Sequence, residues 1–495
     1  MSTSVDMSSI IDGVTVSTGH FIDGAWISSP STFEDRSPLD WSIKLADVAR
    51  GNAATANAAV NAAVAAFPAW ASLGARGRGD IMRRLADLID ANVESIATVE
   101  CHDMGMLHES LRLRVISRGA RNFRAYADLA EAYEERVWDS NGTHNRVLRM
   151  PAGPTVVITP WNAPFMLSTW KCAPALAAGN TVILKPAEWS PLSASMLADL
   201  AHEAGMPPGV FNVVQGIGEE VGDALVNDPR LKRISFTGSP ETARSIGSAA
   251  ARNIVPFTAE LGGKGPFIVF ADADLDAAAA KAAGQYDDSG QVCLAGTRLI
   301  VDASIRNEFL EKFNAHTDAH VIGDSRDRAT TISPMIHPDH LARVAGFVER
   351  ARAAGDTIVR GGRVWTNPDT DAEGLWYEPT LIEPASNDSE VVQSEIFGPV
   401  LTLQTFADEA AAITLANSTN YGLSAIVYTS SAERAERLGR AIRAGTIWTN
   451  CFLVRDLTAP FGGAGWSGIG REGGDYALDF YSDLKTFQVR DDSTA

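Results

Sequence analysis

The chain is expected to be an α/β protein with two parallel-sheet domains and a small extra β element, on three observations. Short β-branched runs alternate with helical stretches over most of its 495 residues, as βαβ crossovers require. Two such series follow one another, with the break near residue 262. Two polar extended segments, 146–153 and 483–489, belong to neither series and have the character of edge strands reaching toward a neighbouring subunit. Length agrees with this division, because a chain of this size exceeds what one hydrophobic core organises.

Taken in order, the first third is expected to be mostly helical. Residues 52–66 are Ala-rich, and Ile81, Leu85, Leu88, Ile89, Val93 and Ile96 recur on one helical face. Strands are expected at 155–159, 181–184, 210–214 and 233–236, with helices at 192–204 and 242–251 between them. These complete a first domain, residues 1–130 and 154–262. Strands at 266–270, 297–301, 400–404, 425–429 and 446–449 build a second domain, 263–475. Residues 131–153 and 476–495 remain for an oligomerisation element. Gly216, Gly218 and Gly222 give only GxGxxxG, a turn entering a helix rather than the dinucleotide fingerprint.

Composition narrows the function. Hydrophobic residues make up 45% and charged residues 21%, a globular mixture in which no apolar run approaches the roughly 18 residues of a membrane span. The formal charge of −19 opposes nucleic acid and anionic membranes as partners. The start, Met1 to Asp6, lacks the basic and apolar parts of a signal peptide, so a cytoplasmic location is expected. Cys101, Cys172, Cys293 and Cys451 are too widely spaced for a zinc ribbon or a disulfide scaffold and are expected to be free thiols. His316 and His320 stand four apart without the Glu of a zincin, and Pro338 interrupts His337 and His340; no metal is expected.

Four stretches carry chemistry: Pro160-Trp161-Asn162-Ala163-Pro164-Phe165, Glu260-Leu261-Gly262-Gly263-Lys264, Gly290-Gln291-Val292-Cys293 and Glu395-Ile396-Phe397-Gly398-Pro399. They supply an amide donor, a carboxylate base and a thiol nucleophile. Such a set turns an aldehyde into an acid through a covalent thioester when a nicotinamide takes the hydride. Each has a plainer reading alone. Cys293 could be a small buried hydrophobe, Asn162 a turn residue between prolines, and Glu260 a cap or a buried ion-pair partner. Further along, Ser239 stands as N-cap with Pro240 at the first helical position, and a helix start of this kind presents free N–H groups to a pyrophosphate.

In this order and with these separations, the motifs resemble the aldehyde dehydrogenase superfamily, over nearly the whole chain from Phe21 to Tyr481. The resemblance implies that Cys293 is the nucleophile and that the Asn162 amide and the Cys293 backbone N–H form the oxyanion hole. Glu260 is then the base that hydrolyses the thioester, which favours a free acid over an acyl-coenzyme A product. Lys171 and Glu472 match a proton relay, with a structural salt bridge as the other reading.

The resemblance also implies NAD as cofactor. Lys185 and Glu188 fall at the adenosine ribose, where a carboxylate accepts the 2′- and 3′-hydroxyls and repels a 2′-phosphate. Phe236, Gly238 and Ser239 form the turn at the pyrophosphate, with Trp161 beside it, and Glu395 and Phe397 meet the nicotinamide ribose and ring. The first domain becomes the NAD-binding domain and the second the catalytic domain of a homodimer or homotetramer. Gly465 stands where the family usually has lysine and Ala243 where glycine is common, departures that bear on loop geometry and pyrophosphate fit.

For the substrate, the loop 450–457 is similar to that of muconic semialdehyde dehydrogenases, which implies that Arg455 pairs with a substrate carboxylate. Arg118 resembles a second such arginine, with Arg114 and Arg121 as alternatives. An arginine fork suits a carboxylate. The plainer reading pairs Arg455 with Asp456 or another surface acid. Phe165, Trp170 and Phe452 are expected to line the rest of the tunnel. The substrate expected is an acidic unsaturated semialdehyde of aromatic-ring degradation. A neutral aromatic or aliphatic aldehyde, or a Cys-dependent esterase or thioesterase with a vestigial NAD site, are the alternatives.

Overall fold

Four consecutive buried residues, Val182–Lys185, make a strand with no solvent face, which requires cover on both sides. It lies within an eight-stranded sheet ordered Gly468–Ile469, Phe257–Leu261, Arg233–Gly238, Thr155–Ile158, Val182–Lys185, Phe211–Val213, His20–Ile22, Ala25–Ile27. The five strands from 155 to 261 run parallel, and the outer strands are antiparallel. A computed structural model provides this architecture and describes residues 7–368 and 370–490. Met1 to Asp6, expected to carry no leader, and the last five residues of the C-terminal segment lie outside the described residues.

After Leu261 the chain changes sheet. Seven strands follow in the order Thr357–Arg360, Thr380–Glu383, Val400–Phe406, Arg298–Asp302, Pro266–Val269, Ser424–Tyr428, Thr446–Thr449, all parallel except the first. The segment 483–489 lies within Ser482–Arg490, which pairs antiparallel with Thr143–Pro151. That strand in turn pairs with Arg136–Ser140, giving a separate three-stranded sheet. Among the described residues, no single helix is long and apolar enough to cross a membrane.

Two expectations need correcting. The first third is not mostly helical, because six short strands precede the helix Ala53–Ser72. The missed signals are Asp12-Gly13 and Asp23-Gly24, each with positive φ at both residues, as tight hairpin turns require. Nor does the 263–475 stretch stay with the second sheet. Gly468–Ile469 pairs with Phe257–Leu261 and covers the edge of the first sheet. The following helix, Gly474–Phe480, packs against Pro164–Ala177 and Ile116–Glu131. This return carries Glu472 to the first sheet.

Candidate active site

The first sheet has a topological switch point. From the gap between Thr155–Ile158 and Arg233–Gly238, successive connections run outward in opposite directions, which opens a crevice at the carboxyl ends of the strands. Trp161 and Asn162 follow the first of these strands, Glu188 follows Val182–Lys185, and Gly238 and Ser239 end Arg233–Gly238. The thiol loop 290–293 and the loop 395–398 arrive from the other side. Both precede strands of the second sheet, Arg298–Asp302 and Val400–Phe406.

Close backbone approach brings the two halves together at Gly262-Gly263. A Cβ at Gly263 would lie 2.6 Å from the Cys293 carbonyl oxygen, and one at Gly262 1.8 Å from Glu395 Oε2. Only glycine fits there. The Gly263 N–H donates to Glu395 Oε1 at 2.7 Å. Across the crevice, Asn162 Nδ2 donates to the Gln291 carbonyl at 2.8 Å, which orients the amide beside the thiol loop and leaves its second proton uncommitted. Gln291 belongs to the thiol motif, but nothing in that motif signals its part in holding Asn162, which lies 129 positions away.

Burial dominates the electrostatics. Cys293 is only partly covered as a residue, yet burial of its sulfur, with Glu395 and Glu260 nearby, pushes the thiol up to about 12; Arg455 opposes the rise. Glu260 is buried, and both its carboxyl oxygens lack a hydrogen-bond partner among the described residues. Burial first and Glu472 second hold its pKa well above the ordinary value, while Lys171, Arg471 and Arg455 pull it down. Burial also raises Glu395 to about 7. Lys264, at the end of the Glu260 motif, is buried with no partner for Nζ among the described residues. Burial and the nearby Arg298 lower it to about 7.

Lys171 and Glu472 form a buried ion pair, Nζ to Oε1 2.5 Å. Ser235 Oγ and the Phe236 carbonyl accept the other Lys171 protons at 3.1 and 3.2 Å. Glu472 Oε2 accepts from Trp170 Nε1 at 2.7 Å, and its backbone bridges Phe461 in both directions.

These residues fit a dinucleotide. Ser239 caps the helix Pro240–Asn253, its Oγ accepting from Thr242 N at 3.1 Å, with Pro240 at the first position. The hydroxyl of Thr237, two residues before Ser239, is buried without a partner among the described residues. Glu188 is a third exposed and meets Lys185 Nζ at 3.4 Å, while burial lowers the pKa of Lys185. Phe236 differs from expectation. Its ring is buried in the core and folds over Gly238, where a Cβ would lie 2.4 Å from Cζ, so it packs beneath the turn.

Residues 26–487 match the aldehyde dehydrogenase family. The chain belongs to that family. Among similar proteins, the 2-hydroxymuconic semialdehyde dehydrogenase of Pseudomonas sp. (strain CF600) is 40% identical over 95% of this chain and 99% of its own. The betaine aldehyde dehydrogenase of Rhizobium etli (strain CIAT 652) is 38% identical over 95% and 96%. Among solved structures, the indole-3-acetaldehyde dehydrogenase of P. syringae, in complex with NAD+ and IAA, superimposes with a TM-score of 0.94 at 36% identity, covering 97% of this chain and 98% of that one.

In this aldehyde dehydrogenase the two arginines converge. Arg118 and Arg455 each place a guanidinium carbon 5.7 Å from the Trp170 ring centroid, and Arg455 lies 3.8 Å from that of Phe461. Neither pairs with a carboxylate among the described residues. The plainer partner, Asp456, instead accepts Thr458 N and Oγ1 at 2.9 and 2.8 Å. Burial, and then Arg455 itself, lower Arg118 to about 10; burial also lowers Arg455, against Cys293 and Glu260.

The aromatic expectations divide. Phe165 is fully buried, its backbone N–H donating to Glu100 and its ring pressed toward Gly119, so it packs behind the site and offers no surface to a tunnel. Trp170 is nearly buried and joins both arginines to Glu472. Phe452 stands edge-on to Trp448 and packs on the same core cluster as Cys293. The two departures have local causes. Gly465 holds φ 60, and a Cβ there would lie 2.4 Å from the Asn420 carbonyl oxygen, while Ala243 faces the core.

Proposed function

We propose that this enzyme oxidises an aldehyde bearing a carboxylate, of the muconic semialdehyde class, to the free acid with NAD. The observation that carries this reading is the pair of partly buried guanidiniums around Trp170, neither paired with a carboxylate among the described residues, with Arg455 in the electrostatic field of Cys293 and Glu260. Two like charges held close together with little access to water oppose one another until an anion joins them. A carboxylate can take a fork from each. Betaine aldehyde fits less well, because its cation would meet two others and the Trp170 and Phe461 rings already carry Arg455.

The residues then divide the reaction. Cys293 gives its thiol proton to water and then attacks the carbonyl carbon as thiolate. The second proton of the Asn162 amide and the Cys293 backbone N–H stabilise the oxygen on which charge develops. Glu188, Ser239, Glu395 and Phe397 would hold NAD, which when bound would accept the hydride; the acyl group then remains on the Cys293 sulfur as a thioester. Glu260, once ionised, is a stronger base than an ordinary carboxylate because of its raised pKa. It takes a proton from water as the water attacks the thioester, and the acid leaves as Cys293 is restored. Lys171 and Glu472 hold the buried charge balance behind it.

The three-stranded sheet leaves Ser482–Arg490 as an edge with Leu484, Phe487 and Val489 exposed. That supports assembly into a homodimer or homotetramer, which light scattering would measure. For the substrate, kcat/KM of Arg118→Ala and Arg455→Ala is compared on a carboxylated and a neutral aldehyde. Loss of a charge-assisted bond predicts about a hundredfold fall for the carboxylated substrate alone. Equal losses on both would sink the carboxylate reading.

A further inference from the structure

Phe397 sits in the left-handed region at φ 61, which a bulky residue keeps only when its surroundings impose it. The helix Pro338–Ala353 imposes it. His340 Nε2 lies 2.8 Å from the Phe397 carbonyl oxygen. A carbonyl only accepts, so Nε2 carries the proton. One turn on, Arg343 donates Nη1 to the Ile396 carbonyl and Nη2 to the Glu395 carbonyl, the latter at 2.8 Å. Three consecutive carbonyls are thus gripped by two side chains on one helix face.

The same helix closes the other side of the loop. A Cβ at Gly398 would lie 2.7 Å from Val344 Cγ2, and one at Gly290 2.3 Å from the Gly398 carbonyl oxygen. The loop therefore lies clamped between this helix and the thiol loop. Just before the helix, Gln291 Oε1 accepts from Ile336 N at 3.0 Å and Nε2 donates to the Pro334 carbonyl at 3.2 Å. Trp161 meets both the His340 ring, at 5.1 Å between centroids, and the Phe397 ring, at 5.3 Å.

We propose that His340 and Arg343 are positioning residues that hold the 395–398 loop so that Glu395 and Phe397 meet the nicotinamide riboside. This rests on the reading of Glu395 and Phe397 as cofactor contacts. The test compares His340→Ala, His340→Gln, Arg343→Ala, Arg343→Lys and a control, Glu395→Gln, in the full-length enzyme. The readouts are the NAD KM, kcat for aldehyde oxidation, and NAD-independent ester hydrolysis at Cys293.

Each alanine variant is expected to raise the NAD KM about tenfold, the loss of one to two hydrogen bonds, with ester hydrolysis within about twofold of the parent. His340→Gln, whose amide N–H reaches the same carbonyl, brings the NAD KM back to within about threefold of the parent. Arg343→Lys reaches only one carbonyl and falls between, so these two conservative variants decide the matter if the alanine variants do not fold. Unchanged NAD parameters in the His340 and Arg343 variants, with a raised NAD KM in Glu395→Gln, overturn the positioning proposal. So does a parallel fall in ester hydrolysis without rescue by glutamine. An unchanged NAD KM in Glu395→Gln overturns the cofactor reading itself.

Discussion

Replacing Lys171 by methionine keeps the stem volume and removes the buried ammonium. The Lys171 side chain has no exposed surface and that of Glu472 only 8%. All three ammonium protons have partners: Glu472, Ser235 and the Phe236 carbonyl. After the change, Glu472 keeps Trp170 Nε1 at 2.7 Å and Ser235 Oγ at 3.4 Å, with no opposing charge in contact. One-sided loss of a buried pair costs about 3–5 kcal/mol. For units of this size that lowers the apparent melting temperature by roughly 10 °C. The double variant Lys171→Met/Glu472→Gln removes both charges and should recover about 2 kcal/mol relative to the sum of the single losses.

The same change reaches the chemistry. Lys171 pulls the Glu260 pKa down against burial and Glu472, so its removal raises that pKa further. If Glu260 is the base proposed above, it works when deprotonated, and the limb of thioester hydrolysis that rises with pH must move to higher pH in Lys171→Met. Scanning calorimetry gives the stability. A rapid-mixing record of the NADH burst and the following steady state, from pH 6 to 10, separates hydrolysis from acylation. Single-variant losses below about 1 kcal/mol, or a hydrolysis limb that does not move, would refute the reasoning.

With its thiol near 12, the enzyme without NAD should be alkylated by iodoacetamide about tenfold faster per pH unit between pH 7 and 10. Glu395→Gln should quicken that alkylation, and a rate plateau below pH 8 would contradict it. Gly263→Ala places a Cβ 2.6 Å from the Cys293 carbonyl oxygen, so ester hydrolysis and aldehyde oxidation should both fall by about a hundredfold as the thiol is displaced. Burial holds the Glu100 carboxyl near 8, up from 4.5. Its stabilising contribution is full below 4.5 and is lost as pH rises through 8. Glu100→Gln should thus flatten the decline in apparent melting temperature between pH 5 and pH 9.

Much of the architecture was legible because local chemistry writes it. Fully buried parallel strands appear as short β-branched runs, and the ones expected from 155 to 238 and from 266 to 449 match observed strands to within a few residues. The thiol, amide and acid motifs were legible because glycine and proline set their backbones. The six N-terminal strands run against the helical expectation for this region because most span only three or four residues, too short for a clear alternation, and are marked mainly by the turns Asp12-Gly13 and Asp23-Gly24.

Phe165 was misplaced for a different reason. Sequence position put it beside Asn162, but its helix directs the ring inward against Gly119. The sequence by itself pointed to the family and, through that resemblance, to the proposed nucleophile, base and oxyanion donor, because these are residue types in recognisable local frames. Only the tertiary structure decided what surrounds them: Arg118 and Arg455 meet across Trp170 although 337 residues part them, and His340 and Arg343 grip carbonyls 52 to 57 residues away. Such pairings depend on packing between elements distant along the chain, and no local pattern of residues encodes them.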